Sequence, residues 1–198
     1  MSSDAIIGLY QRHAAAWAKD RGQRLFEQTW LDRFRASFAP GADVLDIGCG
    51  SGDPIARYFI ERGYAVTGVD SAPAMIEICA AKFPAQTWRV ADMRSLSLGT
   101  RFAGILAWDS FFHLCPDDQR RMFPIFRGLA APQGRLMFTS GPAYGEAFGK
   151  FHNEPLYHAS LDSAEYEALL DAEGFDVVAH VVEDPDCGGH TVWVAEAR

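Results

Sequence analysis

The chain lacks any run of eighteen apolar residues, and its N-terminus has no basic-then-apolar pattern. Neither a membrane-crossing helix nor an export signal is therefore expected, and the reading is a cytoplasmic protein. Positive charge is also in short supply, with 18 Lys and Arg against 26 Asp and Glu and a formal charge of −8. That balance argues against DNA, RNA or an anionic membrane as the main partner, because each needs a basic footprint. Cysteine is scarce: the 4 thiols are scattered without pattern, which fits reduced side chains rather than a disulfide framework. Metal-ligand spacing is missing too. Cys187-x-x-His190, even with His152 and His158, has no second ligand pair, so no metal is expected. No internal repeat or low-complexity tract is present.

What remains is an ordinary globular composition, 48% apolar over 198 residues, enough for one α/β domain with a real core. Apolar runs alternate with helical stretches, the pattern of a parallel sheet. The spacing predicts strands at about 43–47, 65–69, 87–90, 103–108, 134–139, 175–182 and 191–196. Helices are predicted near 54–62, 72–82, 117–130 and 163–173, with a kink at Pro124 and at most a turn of helix between Arg94 and Arg101. Asp162, with Glu165 three residues on, forms a capping-box pattern, Leu161 can staple to Tyr166, and Gly174 stops that helix. Two further helices, 4–18 and 24–38, precede the sheet. Their aromatic faces, including Tyr10 and Trp17, suit either core packing or a lid.

The densest information lies in Asp46-Ile47-Gly48-Cys49-Gly50-Ser51-Gly52-Asp53-Pro54, a strand end, a glycine turn and a helix start. The glycines fall one residue short of the dinucleotide spacing G-x-G-x-x-G. Asp53, with Pro54 behind it, is expected to cap the helix and to set a negative charge where a pyrophosphate would lie. NAD is thereby disfavoured and a phosphate-free adenosine favoured. Asp70, at the end of the next strand, can accept hydrogen bonds from both ribose hydroxyls, or can be a plain turn residue.

From about Ala42 to Ser140 the chain resembles the class I S-adenosylmethionine-dependent methyltransferases, on the glycine turn, on Asp70, and on two later strand ends. The resemblance implies a doubly wound, Rossmann-like sheet of seven mostly parallel strands with an antiparallel last strand. It implies a helical cap over 1–40, a cofactor-binding core over 41–198, and an acceptor-site insert at about 141–160. S-adenosylmethionine is the implied cofactor and S-adenosylhomocysteine the product. Asp46, Gly48, Cys49, Gly50 and Gly52 resemble the cofactor loop, with Asp70 and Ser71 at the ribose. Asp92 would accept from the adenine amine, with the Met93 amide facing the ring. Trp108 and Asp109 belong to the segment after the fourth strand, near the methionine part and the acceptor.

Ligands in open α/β sheets bind beyond the carboxyl ends of the strands. On that rim His113 is the candidate general base, since imidazole titrates near neutrality, or else a histidine that only bonds a neighbouring loop. Asp109 stands beside it. Tyr10, Trp17, Phe111, Tyr157, His158 and His190 are expected as walls around a small-molecule acceptor. The stretch from Gly141 to Ser160 reads as a long functional loop. Cys49 and Cys79 read as small packing residues, and Cys115 and Cys187 as thiols that meet at the rim or stay apart. The expectation is in-line methyl transfer by a monomer or homodimer. A non-catalytic adenosine-cofactor module and an NAD-dependent oxidoreductase are the alternatives.

Overall fold

A computed structural model describes residues 4–198; the first three residues of the expected 1–40 cap lie outside them. Five strands are parallel neighbours: β1 (Asp43–Ile47), β2 (Ala65–Asp70), β3 (Thr87–Val90), β4 (Phe102–Ala107) and β5 (Ala130–Ser140). A hairpin of β6 (Gly145–Phe151) and β7 (Glu154–Ser160) stands apart from the main sheet, and β8 (Phe175–Asp184) and β9 (His190–Ala197) complete that sheet at its far edge. The main sheet is seven-stranded in the order β3-β2-β1-β4-β5-β9-β8. β9 runs antiparallel to both its neighbours, so the final strand in sequence is the reversed one.

Burial on both faces explains why β1 and β4 read as continuous apolar runs. Val44, Leu45 and Ile47 are fully buried, each contributing about 1.5–3 kcal/mol relative to exposure. One face of the sheet carries an aromatic cluster of Phe111, Phe123, Phe126, Phe138, Tyr166 and Trp193. The other carries Trp30, Leu31, Phe34, Phe59 and Trp108.

Helices α1 (Asp4–Arg21) and α2 (Gln28–Arg35) precede the sheet, and α1 is kinked at His13. Between strands lie α3 (Ile55–Ile60), α4 (Pro73–Lys82), α5 (Pro116–Leu129) and α6 (Ser163–Ala172). α5 continues through Pro124. The third crossover holds only a 3₁₀ turn, Met93–Ser95, as its length required. α2 is shorter than the aromatic pattern suggested, because Phe38 packs on Phe34 from outside the helix.

Several expectations change. α3 starts at Ile55 with Pro54 at its boundary, and Asp53 does not cap it. The Asp53 carboxylate instead takes Arg57 Nε at 2.5 Å and Lys82 Nζ at 2.7 Å. Residues 141–160 are mostly hairpin rather than loop. Its turn at His152 and Asn153 uses two left-handed conformations, φ 48° and 65°, which asparagine tolerates well. At α6, Asp162 accepts the Glu165 amide at 2.9 Å as the capping pattern predicts, but the Glu165 side chain pairs with Arg120 rather than reaching back. β8 pairs with β9 through two register shifts, near Val178 and after Val181.

Candidate active site

The carboxyl ends of β1, β2, β3 and β4 converge on one cavity of about 730 Å³, counting the space at its mouth. Gly48 and Gly50 rim it after β1, Asp70 and Ser71 after β2, Asp92 and Met93 after β3, and Asp109 and Ser110 after β4. Across the mouth lies α1, which contributes Ile6, Ile7, Tyr10 and Trp17.

The glycine turn is built for close approach. Gly48 has φ 76°, and a Cβ there would lie 2.3 Å from Ser110 Cβ. Gly50 has φ 53°, and a Cβ would meet the Trp17 indole at 2.7 Å. Asp70 fastens the turn: one carboxylate oxygen accepts the Gly50 amide at 3.0 Å and the other the Ala72 amide at 2.9 Å. Each oxygen keeps a lone pair for a ligand. Burial pushes the Asp70 carboxyl above its usual range, while the backbone amides that donate to it pull the other way. Asp46 lies beneath, nearly inaccessible, and accepts no hydrogen bond among the described residues. Burial, and then the charge of Asp70, lift its carboxyl to about 7.

Asp92 caps the 3₁₀ turn through the Arg94 amide at 2.9 Å and holds the Arg94 guanidinium at 2.7 Å. That bond, ahead of opposing burial, keeps its carboxyl below the ordinary value. Arg94, which also reaches Asp118 at 3.3 Å, lines the cavity and was not anticipated. Its signal was available in the Asp-x-Arg spacing.

His113 is buried on the far wall. Its Nδ1 lies 2.7 Å from the Tyr157 carbonyl, which can only accept, so Nδ1 carries the proton. Nε2 is then the acceptor for the Tyr10 hydroxyl at 3.0 Å. Burial lowers the imidazole to about 4, so it is neutral at pH 7. Burial, with the charges of Asp109 and Asp70, raises the Tyr10 hydroxyl, which stays protonated.

Asp109 adopts φ 48°, a left-handed conformation uncommon for a non-glycine residue. Its amide donates to Thr139 Oγ1 at 2.9 Å. Behind it, His190 Nε2 lies 3.0 Å from Oδ1, while His190 Nδ1 donates to the Cys187 carbonyl at 2.7 Å. Both nitrogens face acceptors, an arrangement that favours the protonated imidazole. Burial opposes that charge, but the Asp109 hydrogen bond and carboxylate raise the pKa above its ordinary value. The ring sits between Trp108, at 5.4 Å, and Phe26, at 5.3 Å.

Of the residues expected from sequence, Gly48, Gly50, Asp70, Ser71, Asp92, Met93, Asp109, His113, Tyr10 and Trp17 line this one cavity. Phe111 does not. Its ring is fully buried against Phe123, Phe126 and Phe138, because the 3₁₀ turn Phe111–His113 turns it inward. Tyr157 offers the wall only its carbonyl, and its ring packs with Ile6 and Ala159. Trp108 and His190 stand behind Asp109, and His158 lies beyond His113, its ring 5.0 Å away. Cys49 and Gly52 face α4, where Cys79 and Phe83 lie. The four thiols are free, and Cys115 and Cys187 belong to separate clusters. Among the described residues no helix is long and apolar enough to cross a membrane.

Arg57 and Lys82 neutralise Asp53, so its charge does not oppose a pyrophosphate as expected. The obstacle is steric. Trp17 and Ser110 cover the turn, and no residue of α3 lines the cavity, so no helix N-terminus is presented to a diphosphate.

Residues 44–134 match the family described as "Methyltransferase domain". The chain is 28% identical over 127 residues to the malonyl acyl-carrier-protein O-methyltransferase of Serratia marcescens, covering 64% of this chain and 46% of that protein. The chain spans about half the length of the curated relatives it matches. Among solved structures it resembles the didemethyltoxoflavin N1-methyltransferase of Burkholderia thailandensis, whose structure contains S-adenosylhomocysteine. The TM-score is 0.73 at 22% identity, covering 100% of this chain and 91% of that one. The cyclase SpnF is equally similar in shape, with a TM-score of 0.75 at 16% identity, covering 99% and 96%. These likenesses establish the class I methyltransferase fold, a seven-stranded mostly parallel sheet with one antiparallel strand.

Proposed function

We propose that the protein binds S-adenosylmethionine and transfers its methyl group to a small-molecule acceptor. The observation that carries this reading is Asp70, which ties down the Gly50 turn while keeping lone pairs directed at the cavity. The residues present fit that cofactor. The paired oxygens of Asp70 suit vicinal ribose hydroxyls, and the Met93 segment with Asp92 suits an adenine edge. Asp46, buried beneath the turn and outside the cavity lining, adds a carboxyl whose charge favours an ammonium group nearby. When bound, the cofactor supplies an electrophilic methyl carbon on a sulfonium sulfur.

The protein's share of the work is placement. Holding reactants at near-attack distance can lower a barrier by about 7–11 kcal/mol. Tyr10 and Trp17 close the mouth and exclude water without adding charge, which gives α1 the role of a cap. His113 is neutral and its Nε2 faces the cavity, so it can take a proton from the acceptor once Tyr10 yields its place. A base this weak serves an acceptor whose proton leaves as the new bond forms. Asp109, held from behind by His190, anchors a hydrogen-bond donor on the acceptor.

Calorimetric titration with S-adenosylhomocysteine and with NAD tests the first half of this proposal. Binding of the former alone is expected, and binding of NAD alone would overturn it. Mass spectrometry of an acceptor screen tests the second half. Good cofactor binding with persistent silence across the screen would favour a non-catalytic module.

A further inference from the structure

Arg94 lines the cavity, yet the fit of the cofactor uses Asp92 and the Met93 segment without it. It stands in the 3₁₀ turn Met93–Ser95, two residues after Asp92, and its side chain folds back on that carboxylate as a fork. Nε lies 3.0 Å from Oδ1 and 3.1 Å from Oδ2, and Nη2 lies 2.7 Å from Oδ2. The Arg94 amide adds a bond to Oδ1 at 2.9 Å. On its other side Nη1 reaches Asp118 Oδ2 at 3.3 Å, in the first turn of α5. Asp118 also accepts Arg121 Nη1 at 3.1 Å through Oδ1. The end of β3 is thereby braced against α5 through one guanidinium.

The fork limits what Asp92 can still do. A carboxylate offers about four lone-pair sites. Three N–H groups of Arg94 (the amide, Nε and Nη2) take up three of them, which leaves room for one further donor. A two-point contact with a planar guanidinium fixes orientation as well as distance. The same hydrogen bond, against opposing burial, holds the Asp92 carboxyl below its ordinary range, so it is ionised and accepts only. Without the side chain of Arg94, the backbone amide alone would hold one oxygen. A carboxylate 35% exposed would then turn about its side-chain torsions and be satisfied by water.

We propose that Arg94 is a positioning residue: acting through Asp92, it makes the cavity select a purine that carries an exocyclic amine. The proposal rests on the cofactor-binding half of the methyl-transfer reading. The fork leaves Asp92 one accepting position on the cavity wall, and the amine supplies the single N–H that fills it. A purine with hydrogen in place of the amine leaves that position empty.

Calorimetry on the whole protein compares S-adenosylhomocysteine with its analogue carrying hydrogen in place of the exocyclic amine. Both ligands have the same ring nitrogens, so the ratio of their affinities reads the amine contact. The native ratio is expected to favour the amine by about tenfold or more, the worth of a hydrogen bond to a charged group. Arg94→Met keeps an unbranched stem and loses every side-chain donor. It should bring the ratio to within about threefold while affinity for the deamino analogue holds. Arg94→Lys restores the charge without the fork and should fall between the two. Asp92→Ala should abolish the preference alone, and adding Arg94→Met to it should change the ratio no further. Retained binding of the deamino analogue reports that a variant is folded; where Arg94→Met does not fold, Arg94→Lys carries the comparison. A native ratio near one overturns the proposal. So does the native ratio persisting in Arg94→Met or Arg94→Lys, or a further change when Arg94→Met is added to Asp92→Ala. Failure of the native protein to bind S-adenosylhomocysteine at all overturns the underlying methyl-transfer reading instead.

Discussion

Removing the Asp70 carboxylate separates its two duties. In the native protein its oxygens accept the Gly50 and Ala72 amides at 3.0 and 2.9 Å, and its remaining lone pairs face the cavity. Asp70→Ala deletes both tethers and the ligand contact. Asp70→Asn keeps one accepting oxygen but turns an NH₂ toward a site built for acceptors. A hydrogen bond to a charged group is worth about 1.5–3 kcal/mol. If one such bond to the ribose is lost, S-adenosylhomocysteine affinity should fall by roughly 10- to 150-fold in the alanine variant. The asparagine variant should fall between it and the native protein. Isothermal calorimetry gives the affinities, and urea unfolding of the same samples reports how far the turn itself has loosened. Native affinity in a folded Asp70→Ala protein would refute the assignment of Asp70 to the ligand. A large loss of stability with native affinity in Asp70→Asn would reduce the residue to a tether.

Asp46 offers a proton-linked test. Its carboxyl, raised to about 7, is mostly protonated at pH 6, and an ammonium ligand beside it favours the ionised form. S-adenosylhomocysteine binding at pH 6 should therefore release a proton and should be weaker than at pH 8. Calorimetry in buffers of different ionisation enthalpy reads the release, and Asp46→Asn should abolish it. His113 has a native pKa of about 4 against an ordinary 6.5, so in that window the unfolded chain binds a proton the native state refuses. Stability should decline as pH falls from 6.5 to 4, and the slope of the urea midpoint should be shallower in His113→Gln; an unchanged slope would contradict the burial argument. Phe111→Ala empties a fully buried ring site and should cost about 3–5 kcal/mol in urea unfolding. Because that ring does not line the cavity, cofactor affinity in the folded fraction should hold.

The central sheet was legible because strands buried on both faces must be apolar throughout. Asp43–Ile47 and Thr87–Val90 carry the boundaries that their sequence suggests. The glycine turn and Asp70 were legible for a related reason: a close backbone approach leaves few residue choices. What failed depended on partners remote in sequence. Asp53 has every local property of a helix cap, yet Lys82, brought in by α4, draws its carboxylate away. Phe111 and His113 share one short turn, and nothing in their order says which of them faces the core. The hairpin was hidden because β6 is largely exposed and carries glycine at Gly145 and Gly149, so no clean alternation marks it. Its tie to α1, through Arg12 and His13 to Glu154, spans more than a hundred residues.

The two register shifts in β8 bear on how the molecule behaves in a crowded solution. β8 is the free edge of the sheet, and Val177, Val178, Val181 and Val182 are all substantially exposed there. A regular strand of that composition would invite another chain to add itself by backbone pairing. The irregularities prevent it. Val177 lies opposite Ala195, while Val181 lies opposite Val192, on the other face of β9. An arriving strand therefore meets apolar side chains that change sides partway along, and cannot keep in step with them. The protein ends its sheet by losing phase, and so keeps an apolar border from becoming a seed for fibres.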